Sequence, residues 1–314
     1  MKDSSFDILC VGNSVIDAFL SISESNPFCR FDKEKNELAI RAGEKIIAQD
    51  FFLSPGGGAC NVSIGLSRLG FKTIIVSEIG KDELAQKIIN VLKKENVDTS
   101  HLMAVDKNTS FSVILQFVNE RTILTKQTKG MHDFRFENIN ANFVYLSGLG
   151  QEWENVYKRV LAFTDNKRSL AFNPGQFQIK EGRETLLSVL SQTEILFVNK
   201  EEAQEVLISQ DDDVKILLVK LKALGPKIVI ITDGRNGSYA IDKNNKDYKM
   251  DAVECEIVGK TGAGDAYASG FLAAFMLKKD INEAMRWASI NAAAVVGKMG
   301  AQNGLLRKEE IIKK

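Results

Sequence analysis

Histidine is nearly absent: the 314-residue chain has two, His101 and His132. A His-rich zinc site has too few ligands here, and a mechanism needing several imidazoles is ruled out. Cysteine is scarce as well. Cys10, Cys29, Cys60 and Cys255 lie without CxxC spacing and without a secretion signal, so they read as free thiols in a reducing cytoplasm. The first apolar run, Ile8 to Val11, is too short for a signal-peptide core and is preceded by acidic residues. No run of about 18 apolar residues is present to span a bilayer. Charge of one sign is missing too, with 41 Lys and Arg against 41 Asp and Glu. That balance provides no broad basic field for nucleic acid or a membrane surface. What remains is ordinary globular composition, 44% apolar and 26% charged, enough for a large core in one large α/β domain or two smaller ones.

Short apolar, β-branched runs recur at Phe6 to Val11, Thr73 to Val76, Phe143 to Leu146, Leu170 to Phe172, Ile195 to Val198 and Lys227 to Ile231. Continuous runs of this kind suit strands buried on both faces. Helix-period segments lie between many of them. Residues 82–94 put Leu84, Ile88, Val91 and Leu92 on one stripe, and residues 214–224 do the same with Leu217, Leu218 and Leu221 before Gly225-Pro226 ends the helix. This alternation predicts a mostly parallel sheet with helices on both faces. Two regions break the rhythm. Residues 108–128 alternate apolar and polar and predict a hairpin with its turn near Asn119. Residues 19–54 are polar and irregular, with strand-like pieces at Glu37 to Ile40 and Ile46 to Ala48. Both lie outside the doubly wound pattern and could form a small separate sheet, a lid on one domain spanning residues 1–314. Lys313-Lys314 reads as a solvated tail.

Chemistry concentrates at Lys260-Thr261-Gly262-Ala263-Gly264-Asp265, just ahead of a helix-like run starting at Ala266. Small residues at a helix start leave backbone N–H groups free to face an anion, and the helix dipole favours negative charge there. A carboxylate in such a turn reads as a base beside a phosphate, with a helix N-cap as the alternative for Asp265. Gly259-Lys260-Thr261 imitates the end of a P-loop, but the first glycine of that motif would fall at Glu254, so a Walker site is not supported. Gly56, Gly57 and Gly58 allow close backbone approach to a ligand, and Asn61 follows as hydrogen-bonding group or N-cap. The GxGxxG spacing of a dinucleotide site is not met. Asp17, beyond the first strand, could take hydrogen bonds from a polyol or sit in a solvated loop. Asn199 and Glu202 could organise Mg²⁺ and its waters or form a helix first turn. Thr232 and Gly234 could wrap a nucleotide phosphate or form a hairpin turn.

In this order the pieces resemble the ribokinase (PfkB) family of carbohydrate and nucleoside kinases. The Gly-Gly loop, Asn and Leu-Gly helix run from Gly56 to Gly70. A G-x-D segment is Gly80-Lys81-Asp82, and a T-x-x-x hairpin with an E-R-T strand spans Thr109 to Leu124. Asn199 and Glu202 match N-x-x-E, Thr232, Gly234 and Gly237 match T-x-G-x-x-G, and Thr261 to Asp265 matches the G-A-G-D signature. The resemblance implies a three-layer α/β/α Rossmann-like core with a β-sheet lid. It implies transfer of the ATP γ-phosphoryl to a substrate hydroxyl. Carried over, Asp265 is the base and Gly262, Ala263 and Gly264 supply anion-hole amides. Asp17, Gly57 and Asn61 bind substrate hydroxyls. Asn199 and Glu202 manage phosphate and Mg²⁺, the latter through water, and Thr232 and Gly234 contact the nucleotide. A sugar or sugar-like acceptor is the leading expectation and a nucleoside the alternative, with Phe19, Phe28, Phe111 and Phe117 as candidate stacking rings or lid core. An exposed lid edge would suit a homodimer. The family commonly carries Asp-Thr where this chain has Gly259-Lys260, which argues against activation by K⁺. Lys260 itself reads as solvated, with a charge near the phosphates as the alternative. Asn173-Pro174-Gly175, after a core strand, has no assigned role.

Overall fold

The computed structural model describes residues 5–118, 120–126, 132–165 and 167–313. The turn expected at Asn119, the end of the 108–128 segment and Lys314 lie outside the described residues. In chain order the strands are β1 (Ser5–Val11), β2 (Val15–Ser21), β3 (Cys29–Asp32), β4 (Glu37–Ile40), β5 (Asp50–Gly56), β6 (Thr73–Ile79), β7 (Asp98–Ala104) and β8 (Phe111–Phe117). They continue with β9 (Glu120–Lys126), β10 (Asn140–Ser147), β11 (Ser169–Asn173), β12 (Ile195–Asn199), β13 (Ile228–Thr232), β14 (Ser238–Ile241) and β15 (Asp247–Met250). The helices are α1 (Gly58–Arg68), α2 (Glu83–Lys94), α3 (Glu154–Thr164), α4 (Gln176–Lys180), α5 (Arg183–Gln192), α6 (Lys200–Leu207), α7 (Val214–Lys222), α8 (Ala263–Met276), α9 (Ile281–Val296) and α10 (Lys308–Ile312).

All six apolar runs become neighbouring parallel strands of one nine-stranded sheet, ordered β15-β14-β13-β12-β11-β10-β1-β6-β7 among the described residues. Alternation along each strand feeds two cores. Ile8 and Cys10 of β1 join Ile75, Tyr145, Phe197 and Ile230 on the face covered by α1, α2, α8 and α9. Leu9 and Val11 join Val76, Leu146, Phe172 and Ile231 on the other face, covered by α3, α5, α6 and α7. A sheet covered on both sides has no solvated face, so its central strands carry no polar alternation. The edge strand β7 was not legible as a strand. Its residues, Asp98 to Ala104, are half-buried or exposed and begin with four polar ones, because an edge next to solvent does not require an apolar run.

The hairpin β8–β9 forms as expected, but its sheet is larger than the sequence suggested. Four strands pair in the order β5-β2-β8-β9. The segment 19–54 is therefore flanked by regular strands, and β2 begins at Val15, immediately after the first core strand. Glu37 to Ile40 does form a strand, pairing with β3 in a separate two-stranded sheet. Ile46 to Ala48 does not: no strand pairs with it among the described residues, and Ile47 is 78% exposed. Asp82 ties the two layers together. It caps α2 by accepting from Ala85 N at 2.8 Å and also accepts from Thr109 N at 2.7 Å and Thr109 Oγ1 at 2.6 Å, just ahead of β8.

Helix α8 is apolar all round and lies inside the molecule, with every residue from Ala266 to Ala274 buried. It crosses α9 at Gly270, where an added Cβ would stand 2.9 Å from both Ala288 Cα and Trp287 O. Backbone cannot move aside as a side chain can. Gly270→Val is expected to destabilise the protein by about 1–3 kcal/mol through overpacking. Urea unfolding should show a lower midpoint with an unchanged m-value, and an unaltered midpoint would contradict this close crossing.

Candidate active site

The carboxyl ends of β1, β10, β11, β12 and β13 open toward the N-termini of α1 and α8, where the parallel register aligns several motif residues. Asn199 and Thr232 are direct register partners across β12 and β13, and Ser147 and Asn173 across β10 and β11. Asp265 lies in the first turn of α8, whose N-cap is Gly262 at φ 81°. The N-cap alternative for Asp265 is thereby excluded. Gly262 meets two demands at once: its left-handed backbone disfavours any Cβ, and Ala301 packs where that Cβ would be.

Asp265 is held by a relay that starts 204 residues earlier. Asn61 Nδ2 donates to Asp265 Oδ2 at 2.8 Å, and Gln302 Nε2 donates to Asn61 Oδ1 at 2.9 Å. Asn61 is not an N-cap either. Helix α1 starts at Gly58, capped by Gly57 at φ 94°, which leaves Asn61 in the first turn with its amide free to face α8. Gln302 was missed in the sequence. Its only signal is a polar pair, Gln302-Asn303, between Gly300 and Gly304, and that pattern is indistinguishable from an ordinary turn. Burial raises the Asp265 carboxyl above its ordinary range, while the Asn61 hydrogen bond opposes the rise.

Asp17 stands on β2, not in a solvated loop. It is paired in register with Ser54 of β5 and Ser112 of β8, and it is 7% exposed. Gly56 is required beside it because a Cβ there would collide with Asp17 Oδ2. Burial pushes the Asp17 carboxyl up to about 6; Ser112 opposes this and the charge of Asp265 adds to it. Cys60, buried between the two carboxylates' fields, has its thiol raised to about 12. The four cysteines are free thiols, three buried and Cys255 exposed.

Asn199 and Glu202 form a reciprocal cap on α6. Glu202 N donates to Asn199 Oδ1 at 2.7 Å, and Asn199 N donates to Glu202 Oε2 at 3.0 Å. The first-turn reading is realised, and it leaves one carboxylate oxygen of Glu202 uncommitted to the cap. Burial, then repulsion from Glu205, Glu201 and Asp265, raises that carboxyl to about 7. A cation nearby would favour its charged form, so the group fits an outer-shell role toward magnesium. Thr232, Gly234 and Gly237 form the β13–β14 hairpin turn around a single 3₁₀ turn, Gly234–Asn236.

Asn173-Pro174-Gly175 acts as a joint. Asn173 Nδ2 donates to Phe197 O at 2.9 Å, and Gln178 Oε1 accepts from Gly175 N at 3.2 Å and Leu149 N at 3.3 Å. Lys260 is half-exposed rather than fully solvated: its Nζ stands 3.5 Å from Glu120 Oε1 on β9. Gln116 Nε2 on β8 donates to Val258 O at 2.8 Å, so the small sheet touches the segment leading into α8 at two points.

The raised Asp17 carboxyl couples folding to pH. The folded state keeps this proton up to about pH 6, whereas an unfolded carboxyl releases it near 3.8. Its stabilising contribution is present below about pH 4 and lost as pH rises through about 6. Asp17→Asn should remove that loss, worth up to about 3 kcal/mol. Urea titrations from pH 4 to pH 7 should show wild type falling relative to the variant, and parallel curves would refute the buried state of Asp17.

The pfkB family carbohydrate kinase pattern matches residues 19–308 of this chain. An "uncharacterized sugar kinase" of Archaeoglobus fulgidus is 29% identical over 258 residues, covering 78% of this chain and 99% of that protein. A nucleoside kinase of Methanothermobacter thermautotrophicus is 26% identical over 315 residues, covering 98% of this chain and 95% of that one. The structure of Arabidopsis thaliana ribokinase, complexed with ribose and ATP, superposes with a TM-score of 0.79 at 20% identity, covering 99% and 98% of the two chains. With its ribokinase-like three-layer core, its small separate sheet and a family match over most of its length, the chain belongs to the pfkB family of carbohydrate kinases.

Proposed function

We propose that this kinase transfers the γ-phosphoryl group of ATP to a hydroxyl of a sugar or sugar-like acceptor, with Asp265 as general base. The observation that carries the reading is the Gln302–Asn61–Asp265 relay at the start of α8. It aims a carboxylate of raised proton affinity at a helix N-terminus suited to an anion. The acceptor oxygen attacks the γ-phosphorus as its proton passes to Asp265, and the bond from γ-phosphorus to the bridging oxygen breaks, releasing ADP. The amides of Gly262, Ala263 and Gly264 stabilise the charge developing on the transferred group. Asp17, Gly57 and Asn61 orient the acceptor, and Thr232 and Gly234 receive the nucleotide. Magnesium would be held through water by Glu202 with Asn199, neutralising phosphate charge. The small sheet acts as the lid, and its links from Gln116 and Glu120 to residues 258–260 would close the site against water.

A sugar is preferred to a nucleoside because three of the four candidate rings, Phe19, Phe111 and Phe117, are engaged in packing. Phe19 stacks on Phe52 with centroids 4.8 Å apart, and Phe117 is buried with Ile22, Cys29 and Leu115. Phe51, Ile123 and Leu124 remain exposed on β5 and β9, the outer strands of the small sheet, which supports a homodimer through it. No helix among the described residues is long and apolar enough to cross a membrane. We place the enzyme in the cytoplasm, as its free thiols suggest.

Asp265→Asn should keep the wild-type circular dichroism spectrum and lower kcat by ~10²–10⁴-fold, the range of general-base catalysis. Turnover within about tenfold of wild type would remove Asp265 from that role. An ADP-release screen over sugars, sugar acids and nucleosides should find its best acceptor among the sugars, with equal rates in K⁺ and Na⁺. The acid limb of kcat/KM should rise with pH through about 6 to 7, as Asp17 and Glu202 lose their protons. A flat profile from pH 5 to pH 8 would show that neither carboxylate needs its charge.

A further inference from the structure

Beside the turn between β1 and β2 lies a small, polar-lined recess. Its lining includes Asn13, Ser14, Glu78, His132, Phe134 and Leu149. It adjoins the acceptor side of the site, because Gly57 packs against the backbone of Asn13 and Ser14. Two of its side chains carry a buried polar atom without a hydrogen-bond partner among the described residues: Ser14 Oγ and His132 Nε2. Ser14 is 2% exposed and His132 is 6% exposed. Buried polar groups are nearly always satisfied, and leaving them unsatisfied is costly. Two such groups on one recess point to a ligand that completes them.

The histidine is held in place by its neighbours. Its backbone N–H donates to Glu78 Oε2 at 2.9 Å, and its Nδ1 faces the same oxygen at 3.4 Å. Its backbone is left-handed at φ 45°, an uncommon conformation that Glu78 clamps. The ring meets Phe134 edge-on, with centroids 5.6 Å apart. Burial acts to raise the Glu78 carboxyl, but hydrogen bonds from His132 and the charge of Lys107 hold it below its ordinary range. Glu78 therefore stays anionic at neutral pH and favours the Nδ1–H tautomer. That tautomer leaves Nε2 as an acceptor. A hydroxyl can donate to Nε2 and accept from Ser14, whereas a carboxylate can do only the second and would meet the charge of Glu78.

We infer that this recess is the specificity pocket for a neutral, polyhydroxylated acceptor, with His132 and Ser14 binding a hydroxyl remote from the one that is phosphorylated and Glu78 positioning the His132 ring. The inference rests on the sugar-kinase reading and narrows it to neutral sugars over sugar acids and nucleosides. Neither His132 nor Glu78 belongs to the motifs that identify the family in this chain.

The test uses the full-length enzyme and the ADP-release screen, followed by kinetics of His132→Phe, His132→Asn, Ser14→Ala and Glu78→Gln. A neutral sugar should be the best wild-type acceptor. His132→Phe should raise its KM about tenfold or more with kcat within about threefold, and Ser14→Ala should raise it severalfold, as expected for lost hydrogen bonds. Among monodeoxy analogues, one should bind weakly to wild type and show no further KM rise in His132→Phe, which identifies the hydroxyl that is read. Glu78→Gln should raise KM less, because the ring remains and loses only its orientation. If His132→Phe proves unfolded by circular dichroism, His132→Asn and Ser14→Ala carry the comparison. Unchanged KM in the folded variants, or a fall in kcat alone, overturns the pocket assignment while leaving the kinase reading intact. A best acceptor that is a nucleoside or sugar acid also overturns it. Absence of turnover with every acceptor, with no sugar bound by calorimetry, overturns both readings.

Discussion

The hydrogen bond from Asn61 to Asp265 is the contact on which the rest of the site depends. It joins the first turns of two helices that begin at opposite ends of the chain, and both helices must start at close range for it to form. Gly58 makes room on one side, lying between Ser147 and Asp265, and Gly262 provides the left-handed entry on the other. Gly65 extends the same closeness along α1, where an added Cβ would stand 2.5 Å from Ser269 Oγ. Ser269 is in turn tied to Asn291 of α9, whose Nδ2 donates to its hydroxyl at 3.2 Å and to Ala266 O at 2.9 Å. The geometry of the candidate site and the packing of the helices are thus one arrangement. A change that moves α1 against α8 by a few tenths of an ångström moves the carboxylate as well.

Electrostatics sharpens the picture. Three carboxyl groups face the strand ends, and each of Asp17, Asp265 and Glu202 has its proton affinity raised, first by burial. Asp265 contributes to the rise at the other two. An acidic cluster beside helix N-termini is unfavourable for structure alone, since each charge loses water and gains a repulsive neighbour. Such arrangements persist where chemistry needs a base of raised affinity. Asn61 supplies a compensating donor to Asp265, and Ser112 supplies one to Asp17. The pairing of Lys260 with Glu120 gives this same region a contact with the small sheet.

Much of the architecture could be read along the chain. The six apolar runs became adjacent core strands because burial on both faces removes polar alternation and makes the run conspicuous. Edge position hid β7, and the strands around residues 19–54 were obscured for the related reason that a small, partly solvated sheet tolerates polar residues. Local signals also placed the helix starts too late. Residues 58–61 and 262–265 look like loop because glycine and small residues open both helices, so Asn61 and Asp265 both read as possible caps when each lies one turn inside.

By itself the sequence determined the layer order, the parallel sheet and the positions of the motifs, because periodicity, glycine spacing and breakers act over a few residues. It also determined which carboxylates and amides were available for chemistry. Tertiary structure alone decided which of them meet. Gln302 reaches Asn61 across 241 residues, Glu78 holds His132 across 54, and Asp17 is buried by strands that arrive from residues 50–56 and 111–117. No local pattern encodes those encounters, since they arise only when distant strands take their register and bring their ends to one edge of the sheet.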